Sequence, residues 1–476
     1  MVLLQTIAGL GLLAVLGLAA TPRDLVRFAA VSPLAGMAWT GVVAATLATF
    51  GSRLGVGGLV LLTLGTCAAG ALRATRRPRV ANRAVQLPAP RSWLDRAAVG
   101  AALLALAVVL VAALALFRVK PLAEYDGWAM WGMKSRAIAV LGGADPSVFA
   151  SSAYARLHLE YPLLLPALHA LPLQLATRFS SNIVVLNCLA IGLAGLAAVW
   201  GLLRGRVRAA LLLPFVAAMA AAPGFFGQLA TGYADIPLAM FVAAGVVAAA
   251  RWLLDGEGAW LALVTLFMAA AALTKNEGLL FGAATYVALL MAADGRRRGV
   301  LLSGLVVALV YAPWRAYVAI HDLGAPDYDL ASSFNLPWVA GRLDRAPVAA
   351  RGLFERATAS YQFGFLLLVG TVAVLAALVF GPRRLGILGA GFGLLSFAGL
   401  TWIYVLTPND VSDFLVTNGD RVVVSLVLGL TALAPLLFEE TTRRLARSPR
   451  LEEASEPPTT TTSADSSTPS GAQPVG

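Results

Sequence analysis

The chain has 476 residues, of which 59% are hydrophobic and only 13% are charged, and its mean hydropathy is +0.78. A soluble protein of this length needs more charge to cover its surface, so the composition excludes a water-soluble fold and indicates a lipid bilayer as the main partner. The net charge of +11 does not indicate nucleic-acid binding, because arginines cluster between apolar runs, where they hold loops on the cytoplasmic side: 73–83, 204–208, 296–298, 383–384 and 443–450.

The apolar runs predict an all-α fold, a polytopic bundle of transmembrane helices. They are continuous and rich in Ala and Leu, whereas the strands of a membrane barrel alternate between apolar and polar residues. In chain order the runs predict about thirteen spans, near 2–20, 30–50, 55–72, 96–117, 181–203, 209–222, 236–254, 259–274, 278–293, 299–318, 361–380, 385–405 and 421–438.

The arginine clusters predict which loops face the cytoplasm. If 73–83 is cytoplasmic, every other cluster also falls on that side. The long segments 118–180 and 319–360 are then extracytoplasmic, and the Leu- and Pro-rich stretch 161–176 is expected to form an interfacial helix. If that stretch instead spans the bilayer, all later sides invert. We expect a multi-pass cell-membrane protein with an extracytoplasmic active face.

Composition also predicts the domain organisation. We expect an N-terminal membrane extension of three helices at 1–72, a basic cytoplasmic linker at 73–95 and the main membrane domain at 96–440. The remainder, 441–476, becomes rich in Ser, Thr and Pro, which is typical of a disordered tail, here on the cytoplasmic side.

Polar residues gather in five segments that the predicted topology places on the extracytoplasmic face: 124–136, 158–162, 232–237, 274–278 and 404–421. Charges at helix ends that face one membrane surface are costly to bury and often mark a functional site. No single segment is decisive, and their coincidence on one face predicts the site.

The first segment brings carboxylates close to cations. Glu124 and Asp126 precede Lys134 and Arg136 directly after a predicted span. A carboxylate that accepts a hydroxyl proton, beside cations that hold a phosphate, is the pairing needed for glycosyl transfer from a lipid phosphate. We expect the two acids to be catalytic and the two cations to bind the donor phosphate.

The other four segments supply further candidates. Lys275 and Arg421 are expected to bind the donor phosphate, since guanidinium groups in particular bind phosphate well. Asp235 beside Pro237 also fits a helix N-cap, which is a structural role. The candidate substrate-binding residues are His158, Tyr161, Asp235, Asn276, Glu277, Tyr404 and Asp410.

These motifs resemble the C-type superfamily of membrane glycosyltransferases, which contains protein O-mannosyltransferases and lipid A aminoarabinose transferases. The nearest likeness is to uncharacterised bacterial members, and it covers about residues 95–440. It is carried by Asp-x-Trp-x-x-Trp-x-x-Lys-x-Arg at 126–136, His-x-x-Tyr-Pro-Leu-Leu-Leu-Pro at 158–166, Gly-Tyr-Ala-Asp-x-Pro at 232–237, Lys-Asn-Glu-Gly at 275–278, and Tyr-x-x-Thr-Pro-x-Asp with a later Asp-Arg at 404–421.

The resemblance implies a glycosyltransferase that moves a sugar from a polyprenyl-phosphate donor to a hydroxyl of a glycan, lipid or protein acceptor. It implies that Asp126 is the catalytic base. The chain departs from superfamily relatives that carry two adjacent acids in this loop, because Tyr125 separates Glu124 from Asp126. No cofactor and no tight metal site are expected, but the spacing of the acids leaves open a weakly bound divalent metal that bridges Glu124 or Asp126 to the donor phosphate.

Two other functions use the same features. A transporter or flippase for a lipid-linked or small solute would place charges near the middle of its helices and often shows repeated halves. Here the charges lie at predicted helix ends and no internal repeat is visible, which favours the transferase. A lipid-linked polymer ligase or polymerase would share both the face and the substrates.

Overall fold

The computed structural model describes residues 1–19, 21–76, 92–176, 180–324 and 335–447. Within these ranges the regular structure is helical and no β-strand occurs. The all-α class predicted from the apolar runs is therefore confirmed.

The first half of the chain forms eleven α-helices, three of which lie within the predicted extracytoplasmic segment 118–180. Their bounds are α1 Val2–Val15, α2 Pro22–Phe28, α3 Ser32–Thr49, α4 Val56–Arg76, α5 Trp93–Val119, α6 Met133–Leu141, α7 Pro146–Phe149, α8 Leu164–Leu173, α9 Ser181–Leu203, α10 Ala209–Ala221 and α11 Pro223–Phe226. A π-helix, Asp126–Gly132, leads directly into α6, and a 3-10 helix, Ser152–Leu157, follows α7.

The second half continues with helices of similar composition. Their bounds are α12 Asp235–Asp255, α13 Gly258–Thr274, α14 Glu277–Ala292, α15 Arg297–Ile320, α16 Leu336–Ala340, α17 Arg345–Thr358, α18 Ser360–Phe363, α19 Leu366–Val379, α20 Arg383–Leu406, α21 Val411–Val422 and α22 Val424–Ala446.

Seven helices of the described ranges are long and apolar enough to cross a membrane: α4, α5, α9, α12, α15, α20 and the continuous stretch of α21 and α22. The pair α2 and α3, bent by 80°, would be an eighth span if counted as one. Each predicted run overlaps a helix, but the predicted count of about thirteen spans is not confirmed. The other apolar helices have 10–17 residues, and at about 1.5 Å per residue they are shorter than a bilayer core of about 30 Å.

Helix α12 lies at the centre of the bundle. Its whole span is buried inside the protein, and it packs against α9, α13, α14 and α22. Small residues make this possible: a Cβ atom added to Gly195 on α9 would lie 2.3 Å from Cγ of Met240 on α12. Close backbone approach at small residues is typical of helix packing in membranes.

The three leading apolar helices contact both each other and the rest of the chain. Helix α1 packs on α3 and α4, and a Cβ atom added to Gly36 would lie 1.7 Å from the carbonyl oxygen of Gln5. Helix α3 in turn packs against α8, α9, α13 and α15. The amide of Ala144, in the predicted extracytoplasmic loop, donates to the carbonyl of Ala48 over 2.8 Å.

One predicted boundary and the predicted surroundings of one helix differ from the structure. Helix α22 continues to Ala446, so the described part of the predicted tail at 441–446 is helical, and 448–476 lies outside the described residues, as does 77–91 of the predicted linker. The predicted interfacial helix corresponds to α8, which is nearly enclosed by protein. An interfacial helix would expose one face, and α8 instead packs against α3, α6, α9 and α13.

Candidate functional site

A cavity of about 160 Å³ lies where α12 and α14 begin, between the π-helix and α21. It combines acidic, basic, aromatic and apolar side chains, as small-molecule sites usually do. Its lining consists of Asp126, Met130, Trp131, His158, Tyr161, Lys275, Glu277, Phe414, Asn418, Arg421 and Val422.

A chain of ion pairs connects the charged residues of the cavity. Nη1 of Arg421 donates to Oδ2 of Asp126 over 2.7 Å, and Nε of Arg421 donates to Oδ2 of Asp235 over 3.0 Å. Nζ of Lys275 lies 2.9 Å from Oδ1 of Asp235 and 2.9 Å from Oε1 of Glu277. Each cation therefore bridges two carboxylates, and buried ion pairs are stable only with such geometry.

The three carboxylates of this chain differ in their access to a ligand. The side chain of Asp126 is 24% exposed, whereas those of Asp235 and Glu277 are 3% and 5% exposed. Asp235 is absent from the cavity lining and accepts hydrogen bonds from both Lys275 and Arg421, so it is the shared counter-ion of these two cations. Its substrate-binding role stays a prediction.

Oε2 of Glu277 is buried and has no hydrogen-bond partner within the described part of the chain. A buried carboxylate oxygen without a partner is costly, and such a group commonly faces a ligand or water. Because Glu277 lines the cavity, its carboxylate lies beside the space that a bound molecule would occupy.

Local sequence explains why the acids lie at this end of the bundle. Asp235 and Glu277 are the first residues of α12 and α14, where the helix dipole favours negative charge. Asp235 is not the N-cap that its neighbouring proline suggests, because that position is Ala234 and no side chain caps the helix. A Cβ atom added to Gly278 would lie 2.0 Å from the carbonyl oxygen of Ala271, so only glycine permits the tight turn between α13 and α14.

The π-helix positions Asp126, its first residue, against the loop before α12. A Cβ atom added to Gly127 would lie 2.1 Å from the carbonyl oxygen of Thr231. The backbone of this loop turns at Gly232, whose φ of +72° suits glycine. Short π-helical segments occur frequently at functional sites, where they shift the direction of a side chain.

Stacked rings form one wall of the cavity. The ring of Tyr161 lies parallel to that of Trp131, with centroids 5.7 Å apart, and to that of His158, with centroids 5.0 Å apart. Nδ1 of His158 lies 3.1 Å from Oε1 of Glu160. The predicted residues His158 and Tyr161 therefore do line the cavity, and Trp131 lines it with them.

Lys134 and Arg136, which are predicted to bind the donor phosphate, lie outside the lining of this cavity. Lys134 is fully buried outside the cavity lining, where its Nζ donates to the carbonyl of His158, and Arg136 is exposed and also outside the lining. Burial lowers the pKa of Lys134 to about 7, although the nearby carboxylate of Glu160 acts to raise it. Helix rotation, which spacing alone does not predict, separates this pair from the cavity.

Four further candidates lie outside the lining. Glu124 pairs with Lys120 at 3.0 Å, both partly exposed, so the structure favours Asp126 over Glu124 as the acid that meets a substrate. Asp410 is exposed and accepts hydrogen bonds from the amides that begin α21, which makes it the N-cap of that helix.

The other two candidates outside the lining, Asn276 and Tyr404, contact neighbouring helices. The amide oxygen of Asn276 accepts a hydrogen bond from the hydroxyl of Tyr311 over 3.3 Å. Tyr404 is fully buried, with its ring centroid 5.0 Å from that of Phe414. These residues support the lining rather than form it.

Sequence reasoning did not assign Asn418, Phe414, Val422 or Met130 to the site. The signal for Asn418 was present, because it lies three residues before Arg421 on a helix, and residues at that spacing share a face. Apolar lining residues carry no comparable signal.

The described residues contain no group of three or more His, Cys, Asp or Glu side chains arranged to hold a metal ion. In comparisons with known proteins, no family model matches the chain, and neither does any curated protein or solved structure. The function must therefore be argued from the motif residues and the geometry of the cavity.

Proposed function

We propose that the protein is a membrane glycosyltransferase that moves a sugar from a polyprenyl-phosphate donor to an acceptor hydroxyl. One observation carries the proposal: a partly exposed carboxylate, Asp126, shares a cavity with the cations Arg421 and Lys275. The cations suit the phosphate of the donor, and the carboxylate suits the hydroxyl of the acceptor.

In the proposed reaction, Asp126 takes the proton of the acceptor hydroxyl as its oxygen bonds to the anomeric carbon of the sugar. The bond between that carbon and the phosphate oxygen breaks, and polyprenyl phosphate leaves with the bonding electrons. Arg421 and Lys275 stabilise the negative charge of the leaving group. A phosphate leaving group needs no proton, so one carboxylate suffices where glycoside hydrolases use two.

An apolar groove supports a lipid-linked donor. The groove, of about 400 Å³, lies between α17, α19, α20 and α22, and its lining is apolar except for Thr371. Gly389 and Gly393 on α20 leave room within it. Leu426 lines the groove only five residues after Arg421, which is about 8 Å along a helix. A polyprenyl chain in the groove would therefore place its phosphate near the cavity.

The arrangement of α12 supports the proposed sidedness. Its first residue, Asp235, lies at the cavity, and its last, Asp255, pairs with Arg251 at 2.8 Å and also with Arg206. Nearby, Arg208 pairs with Glu439 at 3.0 Å. Because arginine-rich ends usually face the cytoplasm, the proposal places the cavity on the extracytoplasmic side.

The proposal keeps about thirteen membrane-embedded helical segments, of which the short ones do not cross the whole bilayer core by themselves. It also keeps a glycan, lipid or protein as the acceptor and assigns no cofactor. Seven of these segments satisfy the length and composition expected of a full span within the described ranges.

A transporter or flippase is the second candidate. The burial of Asp235, Lys275 and Glu277 favours it, because buried charges in membrane proteins often mark a solute pathway. The two candidates differ in outcome: a transferase makes a covalent product, whereas a transporter moves its solute unchanged.

The test uses the purified full chain in liposomes that contain radiolabelled polyprenyl-phosphate sugars, with cell-envelope glycan and lipid extracts as acceptors. We expect transfer by the natural chain and loss of at least about 100-fold in Asp126→Asn. Glu124→Gln, the matched control outside the lining, should keep its rate within about twofold. Equal transfer by Asp126→Asn would overturn the base assignment, and solute uptake without a glycosylated product would favour the transporter.

A further inference from the structure

Lys134 is a buried cation that the proposed reaction does not use. Its side chain has no solvent exposure, and its Nζ lies 5.5 Å from the ring centroid of Trp131 and 5.7 Å from that of Tyr161. Both rings line the cavity, whereas Lys134 does not. The amino group therefore lies behind the aromatic wall, where cation–π attraction holds its protonated form to both rings.

The second contact of Lys134 is with the backbone of the same wall. Its Nζ donates to the carbonyl of His158, which has φ of +50° and ψ of +57°. A left-handed conformation is uncommon for a residue other than glycine and persists only where the surroundings hold it. The hydrogen bond from Lys134 to the carbonyl of His158 is one of the contacts that hold this conformation.

Other contacts hold the residues that follow. Nε1 of Trp314 donates to the carbonyl of Glu160 over 2.9 Å, and Oε1 of Glu160 lies 3.1 Å from Nδ1 of His158. Glu160 is buried, and its charge attracts that of Lys134. The cation is thus compensated within the protein and does not need a substrate phosphate as a partner.

We propose that Lys134 is a positioning residue that holds His158 and Tyr161 in the cavity wall and does not bind the donor phosphate. The structural part of this proposal stands independently, and its kinetic part rests on the proposed function. For Lys134 to reach a phosphate in the cavity, the wall formed by Trp131 and Tyr161 would have to open. The spacing Trp-x-x-Lys at 131–134 places the cation and one ring on adjacent turns of a helix.

The structural test compares Lys134→Met, which loses the donor, with Lys134→Gln, which keeps an N–H donor. Amide hydrogen exchange of the full chain in lipid nanodiscs, followed by mass spectrometry, reports on residues 156–163. We expect exchange there to quicken about tenfold or more in Lys134→Met, with little change elsewhere, and a smaller effect in Lys134→Gln. The matched control is Lys120→Met, whose lysine pairs with partly exposed Glu124.

A second measurement uses diethyl pyrocarbonate, which modifies accessible imidazoles. The rate of modification is followed for the His158 peptide separately from the peptides of the other two histidines. We expect faster modification of His158 in Lys134→Met. Unchanged exchange at 156–163 together with unchanged modification would overturn the proposal. If Lys134→Met does not fold, Lys134→Gln carries the same comparison, and local quickening supports the proposal while its absence overturns it.

The kinetic test separates positioning from phosphate binding. In Lys134→Met we expect kcat to fall about tenfold with the KM for the polyprenyl-phosphate donor within about twofold of the natural value, and partial rescue by Lys134→Gln. A large rise in KM with unchanged kcat would assign Lys134 to the phosphate and overturn the proposal. If the natural chain transfers no sugar, the proposed function fails, and hydrogen exchange still decides the role of Lys134.

Discussion

Arg421 donates to Asp126 over 2.7 Å although 295 positions separate them in the chain. The same guanidinium contacts Asp235 and lies 3.9 Å from the ring centroid of Tyr233. The proposed base, Asp126, and the proposed phosphate-binding residue, Arg421, are thus hydrogen-bonded to each other. In the proposed reaction, the donor phosphate competes with Asp126 for this guanidinium, which frees the carboxylate to accept the hydroxyl proton.

Asp235→Asn should strongly destabilise the protein. Asp235 is the shared counter-ion of Lys275 and Arg421, and removing one partner of a buried ion pair leaves an uncompensated charge at a cost of about 3–5 kcal/mol. Thermal unfolding in detergent should show a clearly lower Tm. The control is Glu355→Gln, which breaks an exposed pair with Arg351 and should leave Tm nearly unchanged, because exposed ion pairs contribute little to stability. Equal Tm values for the two variants would contradict the buried network.

Gly278→Ala should disrupt the turn that carries Lys275 and Glu277. The added Cβ atom would lie 2.0 Å from a backbone carbonyl oxygen, and overpacking of this kind costs about 1–3 kcal/mol. Gly282→Ala is the matched control on the same helix, because a Cβ atom there meets nothing within 4 Å. We expect a lower Tm and weaker donor binding for the first variant only. A Tm for Gly278→Ala as high as that of Gly282→Ala would show that the turn tolerates a side chain.

Gly393→Leu should fill part of the apolar groove. A Cβ atom at Gly393 would lie 3.4 Å from Cδ1 of Leu430, so the backbone accepts it while the leucine occupies the groove. In the transfer assay we expect a higher KM for a long polyprenyl donor and an unchanged KM for a donor with a ten-carbon chain. Gly65→Leu, in an open position on α4, should change neither. Equal effects on both donors would argue against the groove as the site of the lipid chain.

The buried Lys134 should make stability depend on pH. Its pKa is lowered from 10.5 to about 7, chiefly by burial. Between these values the unfolded chain binds a proton that the folded chain does not, so the free energy of unfolding rises with pH. The stability difference between the natural chain and Lys134→Met should therefore shift in favour of the natural chain as pH rises from about 7 to about 10. Chemical unfolding at several pH values measures it, and a difference that is independent of pH would contradict the lowered pKa.

The fold class and the helix positions could be predicted from sequence because they depend on local composition. Apolar runs bounded by arginine and proline mark helices whatever their neighbours are. The number of full spans could not be predicted in the same way. The short apolar helices differ in their surroundings, because α13 is largely buried whereas α14 exposes Leu279, Val287 and Met291. Composition does not distinguish enclosure by protein from enclosure by lipid.

The grouping of the polar segments was predicted in part. Asp126, His158, Tyr161, Lys275, Glu277 and Arg421 do meet at one cavity, as expected from their positions at helix ends. Glu124, Lys134, Arg136, Asn276, Tyr404 and Asp410 do not reach its lining. Glu124, Asn276 and Asp410 lie outside the helices, and Lys134, Arg136 and Tyr404 lie on them, so a position near a helix end does not by itself bring a residue to the cavity.

The amino-acid sequence by itself therefore determined a helical membrane protein whose polar segments lie at one end of its helices. Only the tertiary structure decided which of those residues face a common space, because rotation and tilt of each helix follow from packing against its neighbours. It also decided their roles. Asp235 became a counter-ion and Lys134 a cation behind an aromatic wall because residues distant in sequence, Arg421 and Tyr161, lie beside them.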